Sequence, residues 1–335
     1  MNGKRWAALG IAAVLFAVST VVNLMSSFAF SDAESALTDL FGSGDDTMIE
    51  EVLEEGDGFN KIAVLSINGV IQDTGTPGSI FETAGYHHRG FMNQLDYAKE
   101  DKSVRAIILR VNTPGGGVVE SAEIHDKIIE IQEAGKPVYI SMGSMAASGG
   151  YYISAPAEKI YASRETLTGS LGVIMQGINY SGLAEKYGVE FMTIKSGPYK
   201  DIMSGSREMT EDEREILQEM INNSYEGFVE VISNGRGMSV EEVKKLADGR
   251  IYDGRQAKDL NLIDGFGHFD DVVSALKEDK KLGNAQVVQY SENIGFRSLF
   301  GVSAQKIMGK DLEMAGMMKL LSEPNSPRLM YLYAE

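Results

Sequence analysis

Two short segments of the chain contain the residue types of a hydrolytic site. Ser148 lies in the run Met-Ala-Ala-Ser-Gly-Gly-Tyr-Tyr, and Lys200 closes the run Lys-Ser-Gly-Pro-Tyr-Lys about fifty residues later. A serine hydroxyl is a weak nucleophile at neutral pH, so it needs a proton acceptor within hydrogen-bond reach, which is usually an imidazole. No histidine or cysteine lies between the two segments. The pattern therefore predicts a serine hydrolase whose general base is a lysine, and Lys200 is a candidate.

The chain has four histidines, and none is well placed for this role: His87, His88, His125 and His268. A lysine base must be neutral for part of the time, and lowering a lysine pKa from about 10.4 to near 7 requires roughly 4–5 kcal/mol. Most lysines are instead solvated surface charges. Ser170, in Thr-Gly-Ser-Leu-Gly, is a candidate to hold the amine by a hydrogen bond without charging it.

A glycine-rich turn, Asn-Thr-Pro-Gly-Gly-Gly at 112–117, follows an apolar strand pattern. Three consecutive glycines allow close backbone approach, and their N–H groups could face a developing oxyanion at a helix start. A turn without a ligand is an equally good interpretation, and a phosphate loop is disfavoured because the Walker ending is missing. Ser148 also has two interpretations, since a serine at a helix start is often only an N-cap. Its small neighbours match Gly-x-Ser-x-Gly on one side only.

Short apolar runs alternate with helical patterns, which predicts an α/β fold with a parallel sheet. Capping boxes open two later helices, Thr210 with Glu213 and Ser239 with Glu242. We expect buried strands at 62–67, 106–111, 138–141, 159–162, 171–175 and 191–194, and helices at 118–134, 180–187, 210–232 and 239–248.

The ends of the chain differ from this central part. Residues 6–25 contain no charged residue and are long enough for a membrane anchor, which we favour over a cleaved signal peptide. Lys4 and Arg5 in the stub 1–5 predict a cytoplasmic N-terminus and an extracytoplasmic body at the cell membrane. We expect an acidic flexible linker at 26–60, with a marginal helix at 48–55, a catalytic domain at 61–275 and a helical extension and tail at 276–335.

Composition excludes some partners. The chain has 48 acidic and 31 basic residues, a net charge of -17, which disfavours nucleic acid. The absence of cysteine suits an exported domain without disulfides, although many other proteins share it. The final segment, 328–335, is apolar and follows two prolines, so we expect it to act as a substrate mimic within its own chain or a neighbouring subunit.

Together these segments resemble the signal peptide peptidase A family, in its short single-copy bacterial form, within the Clp protease and crotonase superfamily. Four separated motifs carry the resemblance, in the family's order: 114–117, 145–152, 168–173 and 195–201. The resemblance implies a spiral of β-β-α units, with Ser148 as nucleophile, Lys200 as general base, Ser170 positioning the lysine and Gly115 in the oxyanion hole. It implies no cofactor and no metal.

The resemblance also implies a membrane-bound homo-oligomer, ring- or dome-shaped, in which adjacent subunits supply the serine and the lysine of one site. The expected activity is hydrolysis of remnant signal peptides and other apolar peptides. Two alternatives remain: a crotonase-like acyl-CoA enzyme with an acidic base, and a catalytically silent membrane-anchored scaffold. A Clp-type protease would place a histidine shortly after Ser148, and no histidine lies between Ser148 and residue 268.

Overall fold

A computed structural model describes residue 16 and residues 48–73, 86–292 and 329–333. The three longer ranges belong to one compact unit. The predicted cytoplasmic stub, the predicted anchor apart from residue 16, and the predicted helices of the C-terminal extension lie outside the described residues. Among the helices that the structure describes, none has both the length and the apolar character needed to cross a membrane.

The central sheet is built from apolar runs that are buried on both faces, as expected of strands in a parallel sheet. Within the described residues its main path runs β1-β10-β2-β3-β5-β6-β9, with β7 pairing to β5 and to β8. Pairing is parallel along the central strands, and β1 joins the edge antiparallel to β10. The strands of this sheet are β1 Met48–Glu54, β2 Asp57–Asn68, β3 Val104–Thr113, β5 Val138–Ala147, β6 Lys159–Ala162, β7 Leu167–Gly169, β8 Ile251–Asp253, β9 Gly265–Phe266 and β10 Ala285–Glu292.

Helices cover both faces of the sheet and bury two apolar clusters. The larger cluster contains residues of α1, α2, α3 and α5, and the smaller one contains residues of α8. Both capping boxes predicted from the sequence are present, at Thr210 and Ser239. The helices are α1 His88–Glu100, α2 Val118–Glu133, α3 Gly149–Ser154, α4 Ser181–Lys186, α5 Glu211–Arg236, α6 Val240–Leu246, α7 Gly254–Asp259 and α8 Phe269–Asp279.

Two further strands form a small second sheet beside the main one. β4, Gly115–Gly117, pairs antiparallel with β11, Met330–Leu332, from the C-terminal tail. Isolated bridges extend this sheet on both sides, from Ile71 to β4 and from Ile174 to β11. The tail therefore lies as a strand between the glycine turn and Ile174.

The structure confirms the helix predicted at 118–134 and the strands predicted at 62–67, 106–111, 138–141 and 159–162. Two strand predictions are wrong. Residues 171–175 contain only the single bridge of Ile174, and residues 191–194 form no strand. The second run is apolar, but it is exposed and pairs with no neighbouring strand among the described residues. The predicted marginal helix at 48–55 is also wrong, because Met48–Glu54 is a strand.

The structure also shifts the limits expected for the catalytic domain. Strand pairing begins at residue 48, inside the expected linker, and continues to residue 292, past the expected limit at 275. The limit at 275 falls within α8. The cause is β10, which pairs with β2 in the middle of the sheet and so cannot be separated from the domain.

Candidate active site

Ser148 occupies a sharp turn between β5 and α3. Its backbone has φ 53 and ψ -114, a conformation that residues with a Cβ rarely adopt and that costs free energy unless its surroundings impose it. The turn is held at both ends, because Ser148 N donates to Gly169 O at 2.8 Å and Tyr151 N donates to Ser148 O at 2.9 Å. The sequence thus folds into a strand, turn and helix that fix the serine side chain in one direction.

The Ser148 hydroxyl is not used as a helix cap. Ser148 takes the N-cap position of α3, but its side chain makes no capping hydrogen bond. The residue is 0% exposed, and its Oγ has no hydrogen-bond partner among the described residues. A buried polar atom without a partner is costly, so its presence calls for a partner that arrives from outside the described chain. The N-cap interpretation is therefore wrong, and the nucleophile interpretation remains.

Glycines surround this hydroxyl because there is no room for side chains. A Cβ on Gly150 would lie 2.7 Å from Thr113 Cγ2. A Cβ on Gly115, whose φ is 106, would lie 2.0 Å from Tyr331 O and 2.7 Å from Gly149 N. The tail backbone therefore runs in close contact with the glycine turn and with the start of α3.

The carbonyl oxygen of Tyr331 lies against the glycine turn and the start of α3. Tyr331 pairs with Gly116 in the β4–β11 register. A Cβ on Gly115 would lie within 2.7 Å of both Tyr331 O and Gly149 N, and a Cβ on Gly149 would lie 3.1 Å from both Gly116 N and Tyr331 O, so the backbone of Gly116 and Gly149 lies in the neighbourhood of this oxygen. Backbone N–H groups beside a carbonyl are what an oxyanion hole requires.

The family resemblance implies that Gly115 donates its N–H in the oxyanion hole, but in the structure this N–H bonds a side chain of the turn. Its N–H donates to Thr113 Oγ1 at 3.0 Å, and its carbonyl accepts from Ile71 N at 2.8 Å. Gly115 thus shapes the turn through its positive φ, while the backbone of Gly116 and Gly149 lies in the neighbourhood of the Tyr331 carbonyl. The direct donor role of Gly115 stays a prediction.

An aromatic pocket receives the side chain of Tyr331. The ring stacks on Tyr152 with centroids 4.8 Å apart and packs against Phe228 at 4.6 Å. The Tyr331 hydroxyl donates to Ser224 O at 3.1 Å, and the residue is 2% exposed. Burial raises the pKa of Tyr152 to about 12, so its phenol stays neutral in the pocket. Sequence reasoning missed this pocket, because its walls come from α3 and α5, two distant segments of the chain.

Ser170 lies next to Ser148 in the parallel pairing of β5 and β7. Ala147 pairs with Gly169, and the residue after each of them is a serine with positive φ, 53 for Ser148 and 49 for Ser170. Ser170 N donates to Arg250 O at 2.7 Å. The structure thus brings two of the predicted site residues together at the carboxyl ends of β5 and β7, which we call the site edge of the sheet.

Lys200 forms no hydrogen bond with the described residues at this edge. It lies in a turned segment after α4, it is exposed, and its backbone N donates to Gly197 O at 3.3 Å. Its Nζ makes no hydrogen bond or ion pair with any residue that the structure describes. Within the described chain, the structure assembles Ser148, Ser170 and the glycine turn, and the Ser148 hydroxyl makes no hydrogen bond with the predicted base.

The segment that bears Lys200 exposes many apolar side chains. Met192 is 95% exposed, and Ile194 is fully exposed. Contiguous apolar surface of this kind marks an interaction site. We call residues 178–199 the apolar arm; its exposed apolar members are Ile178, Tyr180, Leu183, Tyr187, Val189, Phe191, Met192, Ile194 and Tyr199.

Among the described residues, no group of three or more His, Cys, Asp or Glu side chains could hold a metal ion. Four charged residues in and after the arm form ion pairs with one another. Asp201 accepts from Arg207 and Lys195, and Arg207 also bonds Glu213. Sequence reasoning used Glu213 only as a capping residue and missed this network.

Comparison with known proteins agrees on one family. Residues 130–283 match the model of peptidase family S49. An Enterococcus faecium protein that carries the name signal peptide peptidase SppA is 45% identical over 304 residues, which is 89% of this chain and 88% of that protein. A Methanocaldococcus jannaschii protein named as a protease is 39% identical over 73% of this chain and 79% of its own length.

Two more distant proteins complete the comparison. Protease 4 of Salmonella typhi is 34% identical over 78% of this chain and 43% of its own length. Among solved structures, ClpP1 from Listeria monocytogenes superposes with a TM-score of 0.41 at 20% identity, covering 63% of this chain and 94% of that chain. The identity to the Enterococcus protein over nearly the whole of both chains shows that this protein belongs to the signal peptide peptidase A family of S49 serine peptidases.

Proposed function

We propose that this chain is a membrane-anchored serine endopeptidase that uses Ser148 and Lys200 to hydrolyse remnant signal peptides and other apolar peptides. The observation that carries the proposal is the buried Ser148 hydroxyl, which lies at a strained turn and has no hydrogen-bond partner in the part of the chain that the structure describes. Strain and an unsatisfied polar atom cost stability, and both are expected where a reactive group is held in position.

The tail strand supports a peptide as the substrate. An extended segment already pairs with β4 through its backbone, as a bound peptide does in β-strand addition. Backbone pairing selects an extended chain, and the pocket that holds Tyr331 selects an apolar or aromatic side chain. Both features suit an apolar peptide released from a membrane.

The reaction follows from the groups at this edge. A neutral Lys200 amine accepts the proton of Ser148 Oγ while the oxygen attacks the carbonyl carbon of the bound peptide. The carbonyl oxygen becomes an oxyanion, which the N–H groups of Gly116 and Gly149 stabilise. The lysine ammonium returns its proton to the leaving amine, and water then hydrolyses the acyl-enzyme by the same steps in reverse order.

Assembly supplies the base in this proposal. Lys200 has no contact with Ser148 in the described chain, and it follows the apolar arm directly. Docking of the arm on a second copy would bury its apolar surface and bring Lys200 to the partner's serine, where Ser170 would hold the amine. Removing the amine from water on docking favours its neutral form, as a base requires. We propose a closed homo-oligomer at the cell membrane, with the N-terminus in the cytoplasm.

Labelling with a fluorophosphonate tests the proposed nucleophile. The detergent-purified full chain should acquire one adduct on the peptide that contains Ser148, and Ser148→Ala should acquire none. Ser121→Ala should keep the adduct and so discriminates between two buried hydroxyls: Ser121 Oγ also lacks a partner among the described residues, and it would lie 2.8 Å from a Cβ on Gly149. An adduct at another serine would contradict Ser148 as the nucleophile, and no adduct on a folded wild-type oligomer would favour the catalytically silent scaffold.

A further inference from the structure

An ion-pair cluster surrounds the residue that follows Lys200. Both carboxylate oxygens of Asp201 are occupied: Oδ1 accepts from Lys195 Nζ at 2.6 Å and from Arg207 Nη2 at 2.6 Å, and Oδ2 accepts from Arg207 Nε at 2.9 Å. The Arg207 fork thus grips Asp201 with two nitrogens, the geometry that gives such pairs their strength and direction.

Arg207 is held on its other side by a buried carboxylate. Its Nη1 donates to Glu213 Oε2 at 2.8 Å, and its Nη2 donates to Glu213 Oε1 at 2.5 Å. Glu213 is 1% exposed and lies in the first turn of α5, where its Oε2 also accepts from Thr210 N at 2.9 Å. The guanidinium therefore connects the turn that bears Lys200 to a fixed point at the start of a long helix.

The cluster balances its own charge. Its two acids, Asp201 and Glu213, face two bases, Lys195 and Arg207. Arg207 and Lys195 hold the pKa of Asp201 well below its usual range, and Arg207 holds the pKa of Glu213 at about 2. The nearby Glu208 carboxylate accepts instead from Asn179 and Ser181. Both acids are thus ionised at neutral pH and bonded to partners other than Lys200.

This arrangement matters for a lysine that must act as a base. A free carboxylate within about 4–6 Å of an amine favours its charged form, typically by 1–3 pKa units. Asp201 follows Lys200 directly in the sequence, so a carboxylate with free oxygens at this position would be available to pair with the Lys200 amine. The Arg207 fork removes that possibility.

We infer that Arg207 and Glu213 are positioning residues for the reaction: they fix the turn that bears Lys200 and keep the Asp201 carboxylate from pairing with the Lys200 ammonium. The inference rests on the proposed function, since it assigns the role of base to Lys200. It goes beyond that function by explaining how a lysine beside an aspartate can be neutral when it acts.

The test is the pH profile of kcat/KM for an apolar fluorogenic peptide, measured on the full chain in detergent. Arg207→Gln frees Asp201 from its fork, so the rising limb of the profile should move to higher pH by about one unit, with roughly tenfold lower activity below the midpoint. Lys195 still bonds Asp201 in this variant, which limits the shift. An unmoved midpoint in a folded oligomer would overturn the inference.

The double variant Arg207→Gln/Asp201→Asn separates charge from structure. Removing the carboxylate should return the midpoint to its wild-type position, whereas a merely structural loss would not be reversed. Arg214→Gln is the control, because Arg214 is also in the first turn of α5 and forms only a long 3.8 Å ion pair with Glu211. A double variant that keeps the shifted midpoint would contradict the inference.

Two milder variants cover the case in which Arg207→Gln fails to fold. Glu213→Gln weakens the hold on Arg207 and should move the midpoint upward by less, while Asp201→Asn alone should not move it upward. The opposite order would overturn the inference. Lys200→Ala, measured in parallel, separates the two proposals: near-normal activity in Lys200→Ala contradicts the proposed base, whereas an inactive Lys200→Ala with unmoved profiles contradicts only the role of Arg207.

Discussion

The proposed nucleophile and the proposed base of this peptidase lie in two regions of opposite character. Ser148 is fully buried, in a turn fixed by strands of the central sheet, and its hydroxyl has no partner among the described residues. Lys200 is exposed and follows an apolar arm in which Met192 is 95% exposed. The region of Ser148 is buried but offers its hydroxyl no proton acceptor among the described residues. The region of Lys200 contains a candidate base, but that residue is exposed to solvent.

The difference shows what each region gains from assembly. Burial of the apolar arm against a second copy would remove apolar surface from water, which favours association at roughly 25 cal/mol per Å². The same contact would fill the unsatisfied position beside Ser148. A subunit on its own would have an incomplete site, so activity and assembly should be lost together.

The largest expected effect comes from removing either half of the site. Ser148→Ala and Lys200→Ala should each lower kcat/KM by roughly 10⁴-fold or more, and the double variant should be no worse, because nucleophile and base act as one unit. Peptide hydrolysis near neutral pH measures this, with circular dichroism to confirm folding. Near-normal turnover of Lys200→Ala would show that the base is another group.

A smaller effect should follow from charging the apolar arm. Ile194→Asp places a carboxylate on a side chain that is fully exposed in the single chain. If that side chain docks on a second copy, the variant should weaken assembly by roughly 30-fold, the range of a strong interface residue, and activity should fall in proportion to the oligomer that is lost. Light scattering and hydrolysis would be measured together.

The matched control for the arm is Phe59→Asp, since Phe59 is 83% exposed but lies on β2, away from the arm. It should leave both assembly and activity unchanged. Loss of the oligomer in Phe59→Asp but not in Ile194→Asp would place the interface elsewhere on the chain.

The mildest expected effect concerns the tail. Tyr331→Ala empties the aromatic pocket and weakens the β11 strand. If the tail competes with a peptide substrate for this position, KM should fall several-fold while kcat changes little. Tyr333→Ala is the control, because Tyr333 is only half-buried and lies outside β11. A KM that rises in Tyr331→Ala would show that the tail supports the site and does not compete for it.

The sheet could be predicted from the sequence because its signals are local. Buried β-branched runs and capping boxes at Thr210 and Ser239 are each readable within a few residues, and the structure confirms them. The run at 191–194 has the same apolar pattern, but it is exposed in the single chain and forms no strand. Local pattern reports apolarity and cannot report what an apolar run packs against.

The site was predictable in part, for a similar reason. Ser148 and the glycine turn lie at strand ends that any parallel sheet brings together. The pocket of Tyr152 and Phe228, and the fork of Arg207 between Asp201 and Glu213, depend on side-chain directions that spacing does not fix. The orphan state of the Ser148 hydroxyl is likewise a property of packing and has no signal in the sequence.

Mixing two inactive variants tests the central claim, that one subunit supplies the serine and the next supplies the lysine. Ser148→Ala and Lys200→Ala proteins would be unfolded and refolded together, and mixed oligomers confirmed by mass before peptide hydrolysis is measured. In a random equal mixture within a closed ring, about a quarter of the interfaces would pair an intact serine with an intact lysine, so about a quarter of wild-type activity should return. Confirmed mixed oligomers with no regained activity would contradict a shared site.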